Sequence, residues 1–470
     1  MIGVLRRVSL TSRLLQWLIV LGALASAAYL GQQPSRRYLM LLVALVGGAA
    51  VLRERRLGLA VLILAALALP LEFGTGTAVT LNTATLLVPA LLALWLLEAT
   101  LRRDLRIVRS RANLPLLLFL LAGLLSLLVG NVLWDPSVPR SSNFIWVQLA
   151  QWAIFAFAAG AYWLMANWVR DEVWLQRLTF LFLGLGGGLA ILRLLPGAGA
   201  LVSPLTTIAF IRAPFWVLLA ALAGGQLLFN QELSPGWRLF LVAVIGAVLA
   251  YAFFLQREST SNWVAIAAVG GVLAWQRWPR ARRYVVAVML ILSTLGILFP
   301  SLYEFAGGDD EWQLSGGSRL ALITRVVELT MRNPITGLGP AAYRPYGLVK
   351  PLTYGPTTWV NPLISSHNNY ADIFSHTGLL GLGLFLWFMI ELGLLGWRIC
   401  ARLRHGFIGG YAAGILAAWA GALVVMMFAD WMLPFVYNIG FPGFQASLLV
   451  WLFWGGLVAL EQSLRTGGVA

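Results

Sequence analysis

Residues 114–133 read LPLLLFLLAGLLSLLVGNVL, an apolar run that contains no charged side chain. An α-helix needs about 20 such residues to cross the roughly 30 Å of hydrocarbon in a bilayer. Similar runs recur along the whole chain, and arginines collect in the short segments between them. The sequence therefore predicts a protein that crosses a membrane many times.

The composition of the 470-residue chain excludes the other broad classes of protein. It is 60% hydrophobic and 11% charged, whereas soluble domains are about 45–50% apolar and about 25% charged. Disorder is excluded because Leu, Val, Ile and aromatic residues dominate the sequence. The net charge is +15, and the basic residues lie in clusters between the apolar runs. This pattern indicates orientation in a membrane and argues against nucleic-acid binding. The single cysteine, Cys400, excludes an internal disulfide.

About fourteen apolar runs qualify as spans, and twelve to fourteen is the expected range because the second and third runs are short. The predicted spans are residues 14–30, 38–52, 57–72, 84–100, 114–133, 147–167, 173–195, 214–229, 237–255, 261–276, 284–302, 378–397, 407–433 and 441–461. The first is interpreted as an uncleaved span, with a cleaved signal peptide as the alternative. The predicted fold class is all-α, a polytopic transmembrane helical bundle with one large structured external loop that contains short helices.

The arginine clusters orient these spans. They lie near residues 6–7, 53–56, 102–111, 277–283 and 398–404. With fourteen spans all of them fall on one side, which the positive-inside rule makes cytoplasmic. The long hydrophilic stretch then lies outside, and the chain divides into an N-terminal bundle of about 11 spans (1–302), the external loop (303–377) and about three C-terminal spans (378–470).

Two features of the external loop predict local structure. Apolar residues at helical spacing predict a helix that starts at Ser315 or Ser318 and stops at Asn333-Pro334. These residues are Leu320, Ile323, Val327 and Met331. The following Gly337-Leu338-Gly339-Pro340 is interpreted as a tight turn. A nucleotide-binding loop would need a preceding strand and a Walker lysine, and both are missing.

His367 is the first candidate for chemistry, because it stands just before an apolar run in Ser366-His367-Asn368-Asn369-Tyr370. With Ser366 as the N-cap, His367 would lie in the first helical turn, where the helix dipole favours a neutral imidazole that can accept a proton. The alternative is a surface histidine that only helps to start the helix.

A metal site is the rival use of these histidines. His367 and His376 are nine residues apart, so they face opposite ways on a helix. The acidic cluster Asp309-Asp310-Glu311 could hold a divalent ion or could be a solvated turn. We therefore expect no metal site.

Three arginines are expected on the same side as His367. Arg212 and Arg257 lie at the outer ends of the eighth and ninth predicted spans, and Arg319 opens the loop helix. Guanidinium groups bind phosphate bidentately without changing protonation. Each arginine alone could be an interfacial anchor, but three of them beside a lone histidine favour a phosphate-binding site.

These motifs resemble a known family. Residues 366–370, followed by Gly378-Leu379-Leu380-Gly381, resemble the hallmark of the O-antigen ligase and O-antigen polymerase superfamily. Residues 333–340 resemble its P-x-x-G-x-G segment, and Ser318-Arg319-Leu320 and Arg257 match its usual layout. The motif-bearing resemblance covers about residues 205–395. One departure is His376, where the family often has an acidic residue.

The resemblance implies a membrane-embedded, inverting glycosyltransferase of the GT-C type, which works without metal or cofactor. Such enzymes move a glycan from a polyprenyl (undecaprenyl) diphosphate carrier to a hydroxyl of an acceptor glycan, lipid A core or protein. They act in the bacterial inner membrane, with the active site on the periplasmic side. If the family's residue roles apply to this chain, His367 is the general base, Arg212 and Arg257 hold the diphosphate, and Arg319 assists them. Asn368 and Tyr370 are supporting residues.

Two alternatives stay open. A lipid-linked glycan flippase or transporter would carry charged residues inside its spans, for which Glu391 and Arg193 are the few candidates. No internal repeat supports an inverted-repeat transporter. A peptidoglycan-type polymerase would need an external carboxylate, for which Asp372 and Asp309 are candidates.

Overall fold

The structure is a computed structural model, and it describes residues 22, 47–74, 79–103, 107–256, 260–305, 309, 317–349, 352–354, 357–359 and 366–465. The chain forms two compact units, Met1–Val61 and Leu62–Ala470. In the first unit, residues 47–53 are helical, and Nε of Arg56 pairs with Oε1 of Glu54 at 2.9 Å.

Helices dominate the described residues. They are α1 (Arg56–Ala68), α2 (Thr83–Leu101), α3 (Asn113–Val132), α4 (Phe144–Trp168), α5 (Glu172–Leu194), α6 (Ala198–Val202), α7 (Ala213–Phe229), α8 (Pro235–Ala250), α9 (Thr260–Arg277), α10 (Arg282–Thr294), α11 (Leu298–Phe305), α12 (Gly317–Thr330), α13 (Tyr343–Val349), α14 (Asn369–Arg402), α15 (Gly406–Phe428) and α16 (Gly440–Arg465). A π-helical turn, Tyr251–Leu255, extends α8. The strands form two antiparallel hairpins, β1 (Glu72–Gly74) with β2 (Thr80–Asn82) and β3 (Leu352–Tyr354) with β4 (Thr357–Trp359).

Among the described residues, eight helices are long and apolar enough to cross a membrane. They are α2, α3, α4, α5, α8 with its π-helical extension, α14, α15 and α16. Two shorter apolar helices, α1 and α7, coincide with further predicted spans. The architecture confirms the predicted all-α polytopic bundle.

Two predicted spans differ in the structure, and a third cannot be compared with it. The span at 284–302 is two helices, α10 and α11, because the chain turns at Gly296 with a left-handed backbone (φ +68°). The span at 407–433 ends at Phe428, and residues 429–439 form a loop. The span at 14–30 lies outside the described residues except for residue 22.

The centre of the bundle is α16, which is buried along its whole apolar length. It packs against α4, while α7 packs against α15. Glycines permit these close approaches: a Cβ at Gly225 of α7 would collide with the backbone of Gly410, and one at Gly455 of α16 would collide with the backbone of Tyr162. Small residues serve this purpose in membrane helices because helix association there depends on tight packing.

The loop helix α12 confirms the predicted helix before Asn333, but the buried face is a different one. Leu322, Val326 and Leu329 are buried, whereas Leu320 and Met331 are exposed. Both faces of this helix carry apolar residues, so spacing alone could not show which of them packs against α14.

The glycine-rich turn that follows α12 fills a break in α14. The helix breaks at Gly378 (φ +66°, ψ −169°). In a continuous helix the N–H of Leu379 would donate to the carbonyl of Ser375. Here the Ser375 carbonyl accepts from the N–H of Leu338 at 2.9 Å, and the N–H of Leu379 donates to the carbonyl of Pro334 at 2.8 Å. The turn thereby supplies the partners that the broken helix lacks.

Only glycine fits the points of closest approach. Gly337 and Gly378 both have positive φ values (+78° and +66°). A Cβ on Gly378 would collide with the backbone of Ile335, and one on Gly337 would collide with the backbone of Gly378. The turn and the break are therefore built as a matched pair.

Replacing Gly378 by alanine is expected to destabilise the protein by at least about 2 kcal/mol, because the left-handed backbone is strained and the Cβ collides with main chain. Thermal unfolding in detergent measures this as a lower midpoint. Gly383→Ala is the matched control, because Gly383 lies in the same helix with no atom near its Cβ position. Equal midpoints for the two variants would contradict the role of the break.

Candidate functional site

The candidate site is built around the loop between α15 and α16, residues 429–439, here named the 429–439 loop. Its carboxylate, Asp430, is completely buried. Both oxygens of Asp430 lie 3.0 Å from Nδ2 of Asn438, which donates to them, and the N–H of Phe435 donates to Oδ2 at 3.3 Å. A buried carboxylate of this kind is stable only with such partners.

His367 faces this carboxylate. Its Nδ1 lies 3.8 Å from Oδ1 of Asp430, and 34% of the His367 side chain is exposed. Burial alone would raise the pKa of Asp430, but the neighbouring His367 and the amide of Asn438 outweigh it and hold the pKa below its ordinary value. The site therefore pairs an ionised, buried carboxylate with a histidine that reaches the surface.

The expected N-cap at Ser366 is wrong. Asn368 caps α14, since its side chain accepts from the N–H of Ala371 at 3.0 Å. The hydroxyl of Ser366 instead donates to Oδ1 of Asp372 at 2.7 Å and accepts from the N–H of Asn368. His367 thus lies before the helix, with a left-handed backbone (φ +49°), and not in its first turn.

Three polar residues after His367 hold the start of α14 against the end of α15 and the 429–439 loop. Nδ2 of Asn368 donates to the carbonyl of Met427 at 2.8 Å, and the hydroxyl of Tyr370 donates to the carbonyl of Leu423 at 3.0 Å. Asn369 donates to the carbonyl of Leu433 at 2.8 Å and accepts from its N–H. These contacts orient His367 toward Asp430.

Arg212 reaches the same loop from the start of α7. Its guanidinium carbon lies 5.6 Å from the centroid of the Trp431 ring, which is a cation–π distance. Burial lowers the pKa of Arg212, and the nearby carboxylate of Asp430 opposes that change. Within the described residues, Nε of Arg212 is buried without a hydrogen-bond partner. The guanidinium therefore retains a donor that an anionic ligand could use.

Arg319 reaches the end of α15. Its Nη1 donates to the carbonyl of Phe428 at 3.4 Å. Of the four residues predicted as the base and the phosphate ligands, His367, Arg212 and Arg319 thus contact positions between 428 and 431. The fourth of them, Arg257, lies outside the described residues.

Among the described residues, no group of three His, Cys, Asp or Glu side chains is arranged to hold a metal ion. His376 is buried in an aromatic stack, with its ring 5.6 Å from that of Phe435 and 6.3 Å from that of Tyr343. Its Nδ1 accepts from the N–H of Ala341 at 3.2 Å. His376 therefore supports the packing around the site and does not join His367.

Sequence reasoning missed Asp430 and Trp431, because both were placed inside a predicted span. A signal was available: Asp430 is the only charged residue between positions 406 and 460. A lone carboxylate in an apolar stretch marks a functional position by default, because its burial is costly.

The sequence analysis offered Asp372 and Asp309 as the external carboxylate of a peptidoglycan-type polymerase. Asp372 is buried and accepts from the hydroxyl of Ser366. Asp309 is exposed and accepts from the hydroxyl of Tyr303.

Comparison with known proteins adds independent information. The family model described as O-antigen ligase matches residues 244–386. That segment holds Arg257, Arg319 and His367, whereas Arg212 and Asp430 lie outside it. The comparison with curated proteins found no match. The family match confirms the resemblance to the O-antigen ligase superfamily, and over residues 244–386 the chain is similar to the O-antigen ligases.

Proposed function

We propose that this protein is a membrane glycosyltransferase that moves a glycan from a polyprenyl diphosphate carrier, of the undecaprenyl type, to an acceptor hydroxyl. The observation that carries the proposal is the meeting of His367, Arg212 and Arg319 around residues 428–431. The family match supports the general class of reaction, since the resemblance to O-antigen ligases implies transfer of a lipid-linked glycan.

His367 is the general base. Its Nδ1 faces Asp430, so Nε2 takes the proton of the acceptor hydroxyl. The acceptor oxygen then attacks the anomeric carbon from the face opposite the diphosphate, and the bond between that carbon and the phosphate oxygen breaks. Its electron pair leaves with the diphosphate, and the configuration at the anomeric carbon is inverted. Asp430 is a positioning residue that stabilises the imidazolium as it forms.

The arginines stabilise the leaving group. Negative charge develops on the diphosphate as the glycosidic bond breaks, and fixed guanidinium groups in a partly desolvated site attract it strongly. Arg212 offers a buried N–H without a partner among the described residues. Arg319 lies beside the same loop, and Arg257 is proposed as a further ligand from the sequence resemblance alone.

The proposed location is the bacterial inner membrane, with the site on the periplasmic side. The direction of α14 supports this orientation, because the helix begins beside His367 and ends at Arg402, in one of the arginine clusters. Helix α3 runs antiparallel to α14. The hydroxyl of Ser126, near the C-terminal end of α3, donates to the carbonyl of His376, near the N-terminal end of α14. Arg109 and Arg111 precede the opposite end of α3. Clusters of this kind favour the cytoplasmic side.

His367→Ala is expected to abolish glycan transfer while leaving the protein folded and inserted, because the acceptor hydroxyl loses its base. The measurement is transfer by purified protein from a defined polyprenyl diphosphate-linked donor. His405→Ala is the control, because His405 is exposed between α14 and α15, at the other end of α14. Retained transfer by His367→Ala would reject the proposal, and a flippase would tolerate that change.

Asp430→Asn is expected to lower kcat by about 10²–10⁴-fold with little change in the KM for the donor, because the base loses its orienting carboxylate. Steady-state kinetics separates the two parameters. Asp309→Asn, at an exposed acid, should leave both unchanged. A rise in the KM of Asp430→Asn with an unchanged kcat would show that Asp430 acts only in binding.

Arg212→Lys is expected to reduce transfer by at least about tenfold, because a point charge replaces the planar guanidinium fork. Donor titrations in the same assay measure the loss, and Arg257→Lys is expected to behave alike. Arg177→Lys is the matched control, since Arg177 also lies over a tryptophan, Trp174, at 5.4 Å. Wild-type activity of Arg212→Lys would remove Arg212 from the diphosphate site.

A further inference from the structure

A cavity lies at the end of the bundle away from His367. Its volume is about 770 Å³, within the roughly 300–1,000 Å³ typical of ligand pockets. The cavity opens between the segment before α3 and the second half of α14. The helix from Asn369 to Glu391 corresponds to roughly 30 Å, so this cavity is separate from the candidate site.

The polar part of this cavity is strongly basic. Arg109, Arg111 and Arg465 line it. Arg465 pairs with Glu461, Nη2 to Oε1 at 2.6 Å. In the described part of the chain neither Arg109 nor Arg111 forms an ion pair, and both side chains are exposed. Arg109 and Arg111 therefore offer two guanidinium groups to an anion. A phosphate group fits them well, because its oxygens can accept hydrogen bonds from both.

The cavity also holds an acceptor that needs a donor. Nε1 of Trp387 donates to Oε1 of Glu391 at 3.4 Å. The other oxygen, Oε2, is buried and has no hydrogen-bond partner among the described residues. A ligand hydroxyl would supply the missing donor, because a buried acceptor without a hydrogen-bond partner is destabilising.

An apolar surface leads away from these polar groups along α3. Leu114 and Leu117 line the cavity, and Leu121, Leu125 and Leu128 continue at helical spacing on the exposed face. On α14, Ile390 and Leu394 are exposed as well. Exposed leucines at this spacing fit hydrocarbon chains that lie parallel to the helix.

We propose that this cavity binds an anionic glycerophospholipid whose headgroup carries free hydroxyls, the chemistry of phosphatidylglycerol. Arg109 and Arg111 hold the phosphate, Glu391 accepts from a headgroup hydroxyl, and the acyl chains lie along the leucines of α3. Basic pockets between membrane helices bind acidic lipids in this way. The inference is independent of glycan transfer and applies whatever reaction the His367 site performs.

Native mass spectrometry of the purified full chain tests this proposal, with phosphatidylglycerol and phosphatidylcholine of identical acyl chains as probes. The wild type is expected to bind phosphatidylglycerol more tightly. The double variant Arg109→Ala/Arg111→Ala should lose about 30-fold in that affinity, the factor expected for two arginine–phosphate attractions. Binding of phosphatidylcholine should not change.

The control is Arg280→Ala/Arg283→Ala, which removes the same charge from another exposed arginine cluster and should stay within about twofold of the wild type. Equal binding of the two lipids by the wild type would overturn the proposal. An equal loss in both double variants would overturn it too, because it would show a general charge effect. Inorganic phosphate should fail to displace the bound phosphatidylglycerol. Displacement would overturn the proposal, because it would show that the site recognises phosphate alone and not a lipid.

Discussion

The candidate site depends on the burial of one carboxylate. Asp430 is the only charged residue between positions 406 and 460, and it is completely enclosed. An unpaired charge at such a position would cost several kcal/mol. The 429–439 loop therefore has to fold so that Asn438 and the main chain meet Asp430. His367 meets the same carboxylate, with Nδ1 of its imidazole 3.8 Å from Oδ1 of Asp430.

A connected framework supports this arrangement from two sides. The asparagines and the tyrosine after His367 bind main-chain carbonyls of α15 and the 429–439 loop. The glycine-rich turn enters the break in α14 at Gly378 and completes its hydrogen bonds. A functional side chain is held more precisely by helices and satisfied hydrogen bonds than by a loop alone. His367 stands on a short turn, and the residues on either side of it, Ser366 and Asn368, are both held by hydrogen bonds.

Features that depend on local sequence were predicted well. The ends of α3, α4 and α5 agree with the predicted spans within a few residues, because apolar length is a property of each segment alone. The tight turn at Gly337 and Gly339 is confirmed, since both have positive φ values. The N-cap at Ser366 was wrong for a tertiary reason: Asp372, one turn into α14, takes the serine hydroxyl, and Asn368 caps the helix.

The sequence by itself determined that this is a helical membrane protein, where most of its helices lie, and which histidine and arginines are candidates for chemistry. Those conclusions rest on composition, run length and motifs, which are readable one segment at a time. Only the tertiary structure decided that Arg212 and His367 meet at one loop, and that Asp430 and Trp431 complete the group. These partners are more than sixty residues apart along the chain, and no local pattern encodes which buried charge a distant side chain will meet.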